Sequence, residues 1–372
     1  MAVGPGSLEG MAVSALPSPD FWRGKRVFVT GHTGFKGTWT RLWLAALGAN
    51  VFGYALPPDT TPALHTLVGS DGLVGETLAD IRDGSALERA LIAADPHIIL
   101  HLAAQPLVRT SYVEPILTFD VNVMGTARLL EVARKLPHLI AALVVTTDKV
   151  YANDDAGRAF SEDDRLGGHD PYSASKAAAE LVTASYRQSF FAASGRPVAT
   201  ARAGNVLGGG DFAVDRLVPD VVRAALAGES LAIRSPGATR PWQHVLDCVC
   251  GYLVFTEALA GGRTNVASLN FGPSPTVSPC TVGEIATAMQ TALGLPNDWN
   301  DVSTAAKPHE MQTLDLDPTR AAATLGWRTR LDAAATVAWT ARWYAGWRNG
   351  EPPRALTLDQ IHAYTALRDA DH

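Results

Sequence analysis

Two short segments of this chain carry side chains that can move protons. Tyr172 precedes Lys176 by four positions, so on a helix both side chains lie on one face. There the ammonium group of Lys176 can stabilise a phenolate on Tyr172, which turns a weak acid into a usable base. Thr147, Asp148 and Lys149 follow an apolar run typical of a buried parallel strand, and open α/β sheets bind ligands at the C-terminal ends of such strands. These residue types predict a hydride-transfer enzyme that also performs acid–base chemistry.

A glycine-rich turn follows the first predicted strand, at 27–30, and precedes a helix that ends at Gly48. The turn comprises Gly31, His32, Thr33, Gly34, Phe35, Lys36 and Gly37. Glycines in this context allow a tight turn and a close approach of the backbone to a pyrophosphate at the helix N-terminus. The segment therefore predicts a dinucleotide site. Lys36 either adds positive charge near the phosphates or is a solvated surface lysine.

The second predicted strand, at 51–55, lacks the terminal acidic residue that usually binds the ribose of NAD. Asp59 lies slightly beyond the end of the strand, so this test leaves the choice between NAD and NADP open. Asp80 and Ile81 follow a further apparent strand. Either they reach the adenine of a dinucleotide, or Asp80 caps the helix that comes next.

Polar and basic residues elsewhere extend the predicted site. His101, in the strand at 98–102, is either a catalytic base or, as is commoner, a hydrogen-bonded strand histidine. Arg234 and Arg240 supply guanidinium groups suited to a diphosphate, although a charged surface turn is the alternative. The residues that close the strand are placed to line the ribose and nicotinamide of a cofactor, namely Leu102, Ala103, Ala104 and Gln105.

Short apolar strands alternate with helical stretches over the first two thirds of the chain, and this alternation predicts an α/β fold with a doubly wound, Rossmann-type parallel sheet. The predicted strands are 27–30, 51–55, 98–102, 140–145 and 198–202, and the helices between them include 39–47, 118–136 and one that begins near Tyr172. After Asn205, glycines and prolines break this rhythm, which indicates a smaller C-terminal substrate-binding lobe. A capping box at Thr281 and Glu284 opens a helix that runs to Leu293, and an aromatic helix spans 333–347.

The predicted division of the chain has four parts. A flexible tail at 1–19 precedes the dinucleotide-binding domain at 20–207. The substrate-binding lobe spans 208–350, with a strand or helix that returns to the sheet near 246–275, and a C-terminal tail follows at 351–372.

Composition excludes several classes of protein. The 372 residues carry a formal charge of -6, which gives no electrostatic reason to expect nucleic acid or an anionic membrane as a partner. No run approaches the roughly 18 apolar residues of a membrane span, and the N-terminus does not have the pattern of a signal peptide. The three cysteines are an odd number in a long chain, which favours a reducing cytoplasm. Cys248 and Cys250 have no second ligand pair of zinc-type spacing, so we predict no metal.

Taken together, the motifs resemble the extended short-chain dehydrogenase/reductase superfamily, and within it the NAD-dependent epimerases and dehydratases of nucleotide sugars. The resemblance spans nearly the whole chain, and its specific pieces lie at 31–37, 101–109, 147–149, 172–176, 203–206, 208–211 and 240–245. The Asp148–Lys149 pair is the most telling, because the dTDP-glucose and GDP-mannose dehydratases typically carry Asp-Glu or Glu there. Val150 and Ala152 depart from the pattern, which leaves the fine choice of substrate in doubt.

This resemblance implies NAD as the cofactor and CDP-glucose or a related nucleotide sugar as the substrate. It implies oxidation at C4, loss of water across C5 and C6, and return of the hydride to C6. Thr147 would hydrogen-bond the 4-hydroxyl, Tyr172 would take its proton, and Asp148 would protonate the departing 6-hydroxyl. Lys149 would remove the C5 proton, or would only pair electrostatically with Asp148.

The resemblance also implies the binding residues, a homodimer and a role in making deoxysugars for surface polysaccharides. The residues implied for NAD are Gly31, Thr33, Gly34, Phe35, Lys36, Gly37, Asp80, Ile81, Leu102, Ala103, Ala104, Gln105, Tyr172 and Lys176. Those implied for the substrate are Gln105, Arg109, Ser111, Asn205, Arg216, Leu217, Arg234, Arg240 and His244. The dimer would form through the helix that carries Tyr172 and the helix at 118–136.

Two other functions stay open at the level of sequence. An epimerase or decarboxylase of the same superfamily would use Thr147, Tyr172 and Lys176 but would need no acid–base pair at Asp148 and Lys149. A non-catalytic dinucleotide sensor is the second alternative, since a fold does not fix a function. Such a sensor need not retain the tyrosine–lysine pair, which this chain has intact.

Overall fold

The computed structural model describes residues 15–153, 157–273, 280–303 and 314–367. Its centre is a seven-stranded sheet in which every neighbouring pair of strands is parallel. The strands are β1 (Arg26–Thr30), β2 (Asn50–Ala55), β3 (Leu73–Leu78), β4 (Ile98–His101), β5 (Ala141–Val145), β6 (Val198–Ala203) and β7 (Ser268–Phe271). Their order across the sheet is β7-β6-β5-β4-β1-β2-β3. The predicted doubly wound parallel sheet is confirmed.

Helices cover both faces of the sheet and build the C-terminal lobe. They are α1 (Pro19–Trp22), α2 (Phe35–Ala46), α3 (Leu64–Val68), α4 (Gly84–Ala94), α5 (Val108–Val113), α6 (Pro115–Phe119), α7 (Gly125–Ala133), α8 (Pro171–Tyr186), α9 (Leu217–Ala227), α10 (Val245–Ala260), α11 (Val282–Ala292), α12 (Thr319–Leu325), α13 (Ala333–Arg348) and α14 (Pro353–Ala366). Three short parallel strand pairs lie outside the main sheet: Ala159–Phe160 with Asp315–Leu316, Val206–Leu207 with Gln243–His244, and Leu231–Ile233 with Trp299–Asp301.

Alternation of side chains along the strands divides the core between the two faces. In β1, Val27 and Val29 pack into one buried cluster and Phe28 into the other. This is the period of two that an extended strand imposes. The first cluster includes the buried indoles of Trp39 and Trp43 on α2. Both faces are therefore closed by helices, and ligands have access to the sheet at the ends of its strands.

The C-terminal segment differs from the predicted tail at 351–372. Residues 353–366 form α14, and its Tyr364 ring lies 5.5 Å from the ring of Trp43. The Tyr364 hydroxyl donates to the carboxylate of Asp247 at 2.7 Å. The apolar residues of this segment have only a weak helical periodicity, but burial of aromatic side chains stabilises the helix. Residues 1–14 of the predicted N-terminal tail lie outside the described residues, whereas the amide of Ala15 donates to Gly326 O at 3.2 Å.

The helix predicted at 118–136 contains an irregular turn. Between α6 and α7, residues Asp120–Met124 form a π-helical turn, which adds one residue to the local winding. The predicted capping box is confirmed, because Thr281 and Glu284 bond each other's backbone amides at the start of α11. None of the helices in the described ranges is long and apolar enough to cross a lipid bilayer.

Candidate active site

One cavity of about 580 Å³ lies at the C-terminal ends of β1, β4, β5 and β6, under the C-terminal lobe. Its inner part is lined by the glycine-rich turn and the ends of these strands. Its outer part is lined by residues that begin at Gly204 and include α9. Almost all of the predicted site residues line it: Gly31, Thr33, Gly34, Phe35, Lys36, Gly37, Asp80, Ile81, Leu102, Ala103, Ala104, Arg109, Thr147, Asp148, Lys149, Tyr172, Lys176, Asn205, Arg216, Leu217, Arg234 and Arg240.

The glycine-rich turn leaves no room for side chains at two of its glycines. Gly31 has a φ of 73°, and a Cβ there would lie 2.7 Å from Ala103 N. A Cβ on Gly37 would lie 2.0 Å from Gly31 O. The N-terminus of α2 is thereby held against the end of β1, and Gly34 stands at its N-cap position. A bare backbone at a helix N-terminus is the cradle that a pyrophosphate requires, so these residues fit a dinucleotide.

His32 is buried and holds this turn in place through a hydrogen bond with Glu76, a more exposed residue of β3. Its Nε2 lies 2.7 Å from Glu76 Oε1, and His65 Nε2 lies 3.2 Å from the same oxygen. These distances alone would suit a metal ion. However, Arg41 contacts His65 Nδ1 at 3.4 Å and can only donate, so the proton of His65 stays on Nε2 and points at Glu76. Burial lowers the pKa of both imidazoles, that of His65 to about 4.

Thr147 and Asp148 sit at the end of β5, where the chain enters a short 3₁₀ turn at Asp148–Val150. The hydroxyl of Thr147 donates to Asp148 Oδ1 at 2.8 Å. Asp148 Oδ2 is buried and has no hydrogen-bond partner among the described residues. A Cβ on Gly204 would lie 3.2 Å from that oxygen, so the glycine keeps the space beside it open. A carboxylate with one free oxygen on a cavity wall can exchange a proton with a bound ligand.

Tyr172 and Lys176 lie one helical turn apart on α8, whose N-terminus is capped by Asp170. Burial raises the pKa of Tyr172 to about 12, against the opposing effect of its hydrogen bond with Thr147. Burial lowers the pKa of Lys176 to about 7, and the nearby charge of Lys36 acts in the same direction. The ammonium group of Lys176 donates to Val145 O at 3.1 Å. Lys36 therefore faces the buried site, and its reading as a solvated surface lysine is wrong.

Asn122 is a further site residue that the sequence did not reveal. It lies in the π-helical turn, and its side chain accepts from Gln105 N at 2.9 Å and donates to Gln105 O at 3.1 Å. Its amide also donates to the hydroxyl of Ser175 at 2.9 Å, and Ser175 in turn donates to Tyr172 O. The residue thus joins the loop after β4 to the helix that carries Tyr172. The position of Asn122 depends on the extra residue of the π turn, and such a turn has no clear signature in the sequence.

Three predicted binding residues do not line the cavity. The side-chain amide of Gln105 is used within its own loop, by Leu107 and Thr118. Ser111 is fully buried and accepts a hydrogen bond from Tyr172 N at 3.1 Å, so it positions α8. His244 caps α10 and is enclosed between the rings of Trp39 and Trp339. The polar groups of Gln105 and Ser111 are thus bonded inside the protein, whereas His244 accepts from Leu246 N through Nδ1 and its buried Nε2 has no partner among the described residues.

Local geometry excludes a catalytic role for His101 and a capping role for Asp80. His101 is buried between the hydroxyls of Thr30, at 2.7 Å, and Thr126, at 3.1 Å. Burial lowers its pKa to about 3, so it is a neutral strand histidine and not a catalytic base. Asp83, and not Asp80, caps α4. The Asp80 carboxylate instead faces the cavity and pairs with Arg82.

The outer part of the cavity gathers arginines from separate elements. Arg240 is buried and donates to Thr239 O at 2.8 Å. Arg216 lies 3.4 Å from Asp211, and its charge opposes the rise in the pKa of Tyr172. Arg109 and Arg234 both contact Asp215. Positive charge is thus distributed from the region of the reactive tyrosine to the mouth of the cavity, along the path that a diphosphate would need.

The parallel sheet, the glycine-rich turn and the Tyr172–Lys176 pair define an extended short-chain dehydrogenase/reductase, as the sequence predicted. Residues 28–340 match the model of the GDP-mannose 4,6 dehydratase family, and the chain belongs to this family. Over 351 residues it is 42% identical to CDP-glucose 4,6-dehydratase from Salmonella typhimurium, with 93% of this chain and 97% of the relative covered.

Solved structures of similar proteins agree with this assignment. The dTDP-glucose 4,6-dehydratase DesIV from Streptomyces venezuelae, solved with NAD bound, superposes with a TM-score of 0.73. It is 27% identical, and the match covers 88% of this chain and 99% of that one. The UDP-glucose 4-epimerase from Thermotoga maritima has a TM-score of 0.75 at 20% identity, over 87% of this chain and 99% of the other. At that identity the likeness concerns the fold alone.

Proposed function

We propose that this chain is an NAD-dependent CDP-glucose 4,6-dehydratase, which converts CDP-glucose to CDP-4-dehydro-6-deoxyglucose and water. The observation that carries the proposal is the buried carboxylate of Asp148, held by Thr147 beside Tyr172 with its second oxygen free of hydrogen bonds to the described residues. An epimerase needs no such acid. The extensive similarity to the Salmonella typhimurium enzyme supports the choice of nucleotide.

The residues around the glycine-rich turn fit NAD. Gly31, Gly34 and Gly37 present bare backbone at the N-terminus of α2, and Asp80 and Ile81 lie on the cavity wall. Tyr172 and Lys176 stand at the other end of the same wall. When bound there, NAD supplies the chemistry of hydride acceptance from C4 of the sugar and hydride return to C6.

Tyr172 is the base for the 4-hydroxyl of the sugar. Burial holds its pKa high, so the phenol loses its proton only when positive charge is near. Lys176, one turn along α8, is placed to supply that charge. The hydroxyl of Thr147 has a hydrogen bond with Tyr172 and a second with Asp148, and it can orient the substrate hydroxyl between them.

Elimination requires a base for the proton at C5 and an acid for the hydroxyl that leaves C6. Asp148 provides the acid, because it lines the cavity and its second carboxylate oxygen has no hydrogen-bond partner among the described residues, so a bound 6-hydroxyl can take a proton from it. Lys149, which is half-buried on the same wall, provides the base for the C5 proton. The two side chains follow one another in the turn after β5, so one element carries both.

The product of a reaction run in deuterium oxide tests these assignments together. We would incubate the protein and NAD separately with CDP-, dTDP-, UDP- and GDP-hexoses and follow mass and NADH. We expect loss of one water from CDP-glucose alone, no net NADH, and solvent deuterium at C5. Lys149→Ala should lose the exchange at C5. Exchange at the parental rate would remove Lys149 from this role, and an isomer of unchanged mass would indicate an epimerase.

We also infer that the protein is a homodimer that works in a reducing cytoplasm and supplies deoxysugars for surface polysaccharides. Exposed apolar side chains support the dimer. Val113 is 78% exposed and Ile116 80%, and Leu181 on the adjoining α8 is 61% exposed. Contiguous exposed apolar side chains on packed helices are typical of a protein interface. The superfamily commonly pairs subunits through the helix that carries Tyr172 and the helical region at 118–136, and Val113 and Ile116 lie just before the second of these.

A further inference from the structure

One carboxylate joins two arginines across the mouth of the cavity. Asp215 Oδ1 accepts from Arg109 Nη1 at 3.0 Å and from Arg234 Nη1 at 2.7 Å. Arg109 belongs to α5, which follows the sheet strand β4, whereas Arg234 directly follows the strand Leu231–Ile233 of the C-terminal lobe. The three side chains line the cavity, so the contact spans its opening from one lobe to the other.

The ion pairs of Asp215 with Arg109 and Arg234 are weak enough for another anion to replace the carboxylate. The side chains of Arg109, Asp215 and Arg234 are 56%, 31% and 34% exposed, and ion pairs at such positions contribute little stability. The backbone of Asp215 has a φ of 60°, a left-handed conformation that aspartate and asparagine adopt more readily than other side chains. The loop therefore presents the carboxylate in a fixed place without burying it.

The carboxylate of Asp215 carries one negative charge and contacts two guanidinium groups. The neighbouring acids contact other arginines, since Asp211 pairs with Arg216 and Asp220 pairs with Arg223. A diphosphate carries more negative charge than a carboxylate and offers several acceptor oxygens. Guanidinium groups can bind those oxygens in pairs. A diphosphate in the mouth of the cavity would therefore be the stronger acceptor for Arg109 and Arg234.

We propose that Asp215 is an exchangeable internal anion. It holds Arg109 and Arg234 across the cavity mouth when no nucleoside diphosphate is bound, and it yields both guanidinium groups to the diphosphate of the incoming substrate. Asp215 thus lowers the affinity for the nucleotide while keeping its ligands in place. The inference rests on the proposed function, because it takes a nucleoside diphosphate as the ligand of this part of the cavity.

Asp215→Asn tests the proposal, because asparagine keeps the size and tolerates the backbone conformation but removes the charge. CDP is the probe, and its dissociation constant is measured by titration calorimetry at low and at high salt. We expect CDP to bind about three- to tenfold more tightly to the variant, which is the range set by one or two exposed ion pairs. The gain should shrink as salt is raised.

Two further variants test whether the gain in CDP affinity comes from Asp215 and its arginines. Asp95 is also left-handed, with a φ of 39°, and also contacts two basic side chains, those of Arg26 and His138, but it does not line the cavity. Asp95→Asn should leave CDP affinity unchanged. Arg234→Gln in the Asp215→Asn background should remove the gain, because the released guanidinium group is then absent.

The outcomes separate the inference from the proposed function. Weaker or equal CDP binding by a folded Asp215→Asn protein would overturn the inference, since the carboxylate would then be orienting the arginines and not competing for them. That result would leave the proposed function in place if the parent protein binds CDP and dehydrates CDP-glucose. A parent protein that neither binds CDP nor turns over CDP-glucose would overturn the proposed function first, and the inference with it.

Discussion

Burial acts in opposite directions on the two reactive groups of α8. It raises the pKa of Tyr172 to about 12 and lowers that of Lys176 to about 7. Both shifts disfavour the charged form, as desolvation requires. The ligand-free site thus holds a neutral phenol beside a lysine that changes charge near neutral pH. Tyr172 can deprotonate a substrate only when bound ligand and protein together stabilise its phenolate and the ammonium group of Lys176, the charged forms that burial disfavours.

Asp148→Asn should separate oxidation from dehydration. Asparagine keeps an oxygen to accept from Thr147 but cannot donate a proton as an acid. We expect the loss of water to slow by about 10²- to 10⁴-fold, the usual range for general acid catalysis. Oxidation at C4 should persist and appear as transient NADH absorbance in single turnovers. Asp164→Asn, at a half-buried position that does not line the cavity, is the control, and an equal loss of both steps would show that Asp148 acts in oxidation too.

Lys176→Met should be more stable than the parent protein at low pH. The folded pKa of Lys176, about 7, lies below its ordinary value of 10.5. Between these values the unfolded chain binds a proton that the folded protein does not, so the free energy of unfolding rises with pH across this window. Methionine removes that dependence. At about 1.4 kcal/mol for each pKa unit, the gain below pH 7 should be a few kcal/mol.

Urea unfolding of the Lys176→Met variant at about pH 6 and about pH 9 measures this effect. The stability difference from the parent should be larger at the lower pH, while dehydratase activity is lost. Lys135→Met, at an exposed position in the turn after α7, should keep the slope of the parent protein. A difference that does not change with pH would mean that Lys176 is charged in the folded protein throughout.

At the scale of secondary-structure elements, a π-helical turn and a short helix position the long helix α8. The π-helical turn at Asp120–Met124 places Asn122 where it holds both the loop after β4 and the start of α8. Ser111 in α5 bonds the same helix at Tyr172 N. The reactive face of α8 is therefore positioned by side chains from two neighbouring segments, the π-helical turn and α5.

Asn122→Ala should lower stability and turnover together. The substitution leaves the buried amide and carbonyl of Gln105 without their partner, and unsatisfied buried groups cost about 1–3 kcal/mol each. We expect the free energy of unfolding to fall by about that amount and kcat to fall more than KM rises, because Tyr172 loses its support. Thr118→Val, which also removes a buried hydrogen bond to Gln105, is the control. A drop in stability with normal kcat would confine Asn122 to folding.

Local patterns in the sequence predict most of the sheet and much of the site. Strong apolar strands, the glycine-rich turn and the capping box at Thr281 are recognisable because their signals lie within a few residues. The role of Asn122 depends on a π turn inside a helix, and the enclosure of His244 depends on indoles more than ninety residues away in either direction. Packing of α14 likewise depends on Trp43. Such contacts are set by tertiary structure and leave no local pattern.

At the scale of the whole molecule, the two lobes are bound into one core. The chain returns from the C-terminal lobe through α10 to strand β7, which extends the sheet beside β6. The final helix then packs against α2 through Tyr364 and Trp43. The carboxylate of Asp247, buried under this helix, accepts from Tyr364 and from Arg330 N. The two ends of the described chain therefore meet in one core.

The proposed dimer interface can be tested by substitutions at its exposed apolar residues. Ile116 on α6 and Leu181 on α8 are 80% and 61% exposed, and these helices pack against one another. Glutamate at both positions would place charges in an apolar interface, where each unpaired charge costs several kcal/mol on association. Light scattering after gel filtration should therefore show a dimer for the parent protein and a monomer for Ile116→Glu/Leu181→Glu. Ile92→Glu, at a position of α4 that is also 61% exposed, should stay dimeric. A double variant that remains a dimer would place the interface on another face.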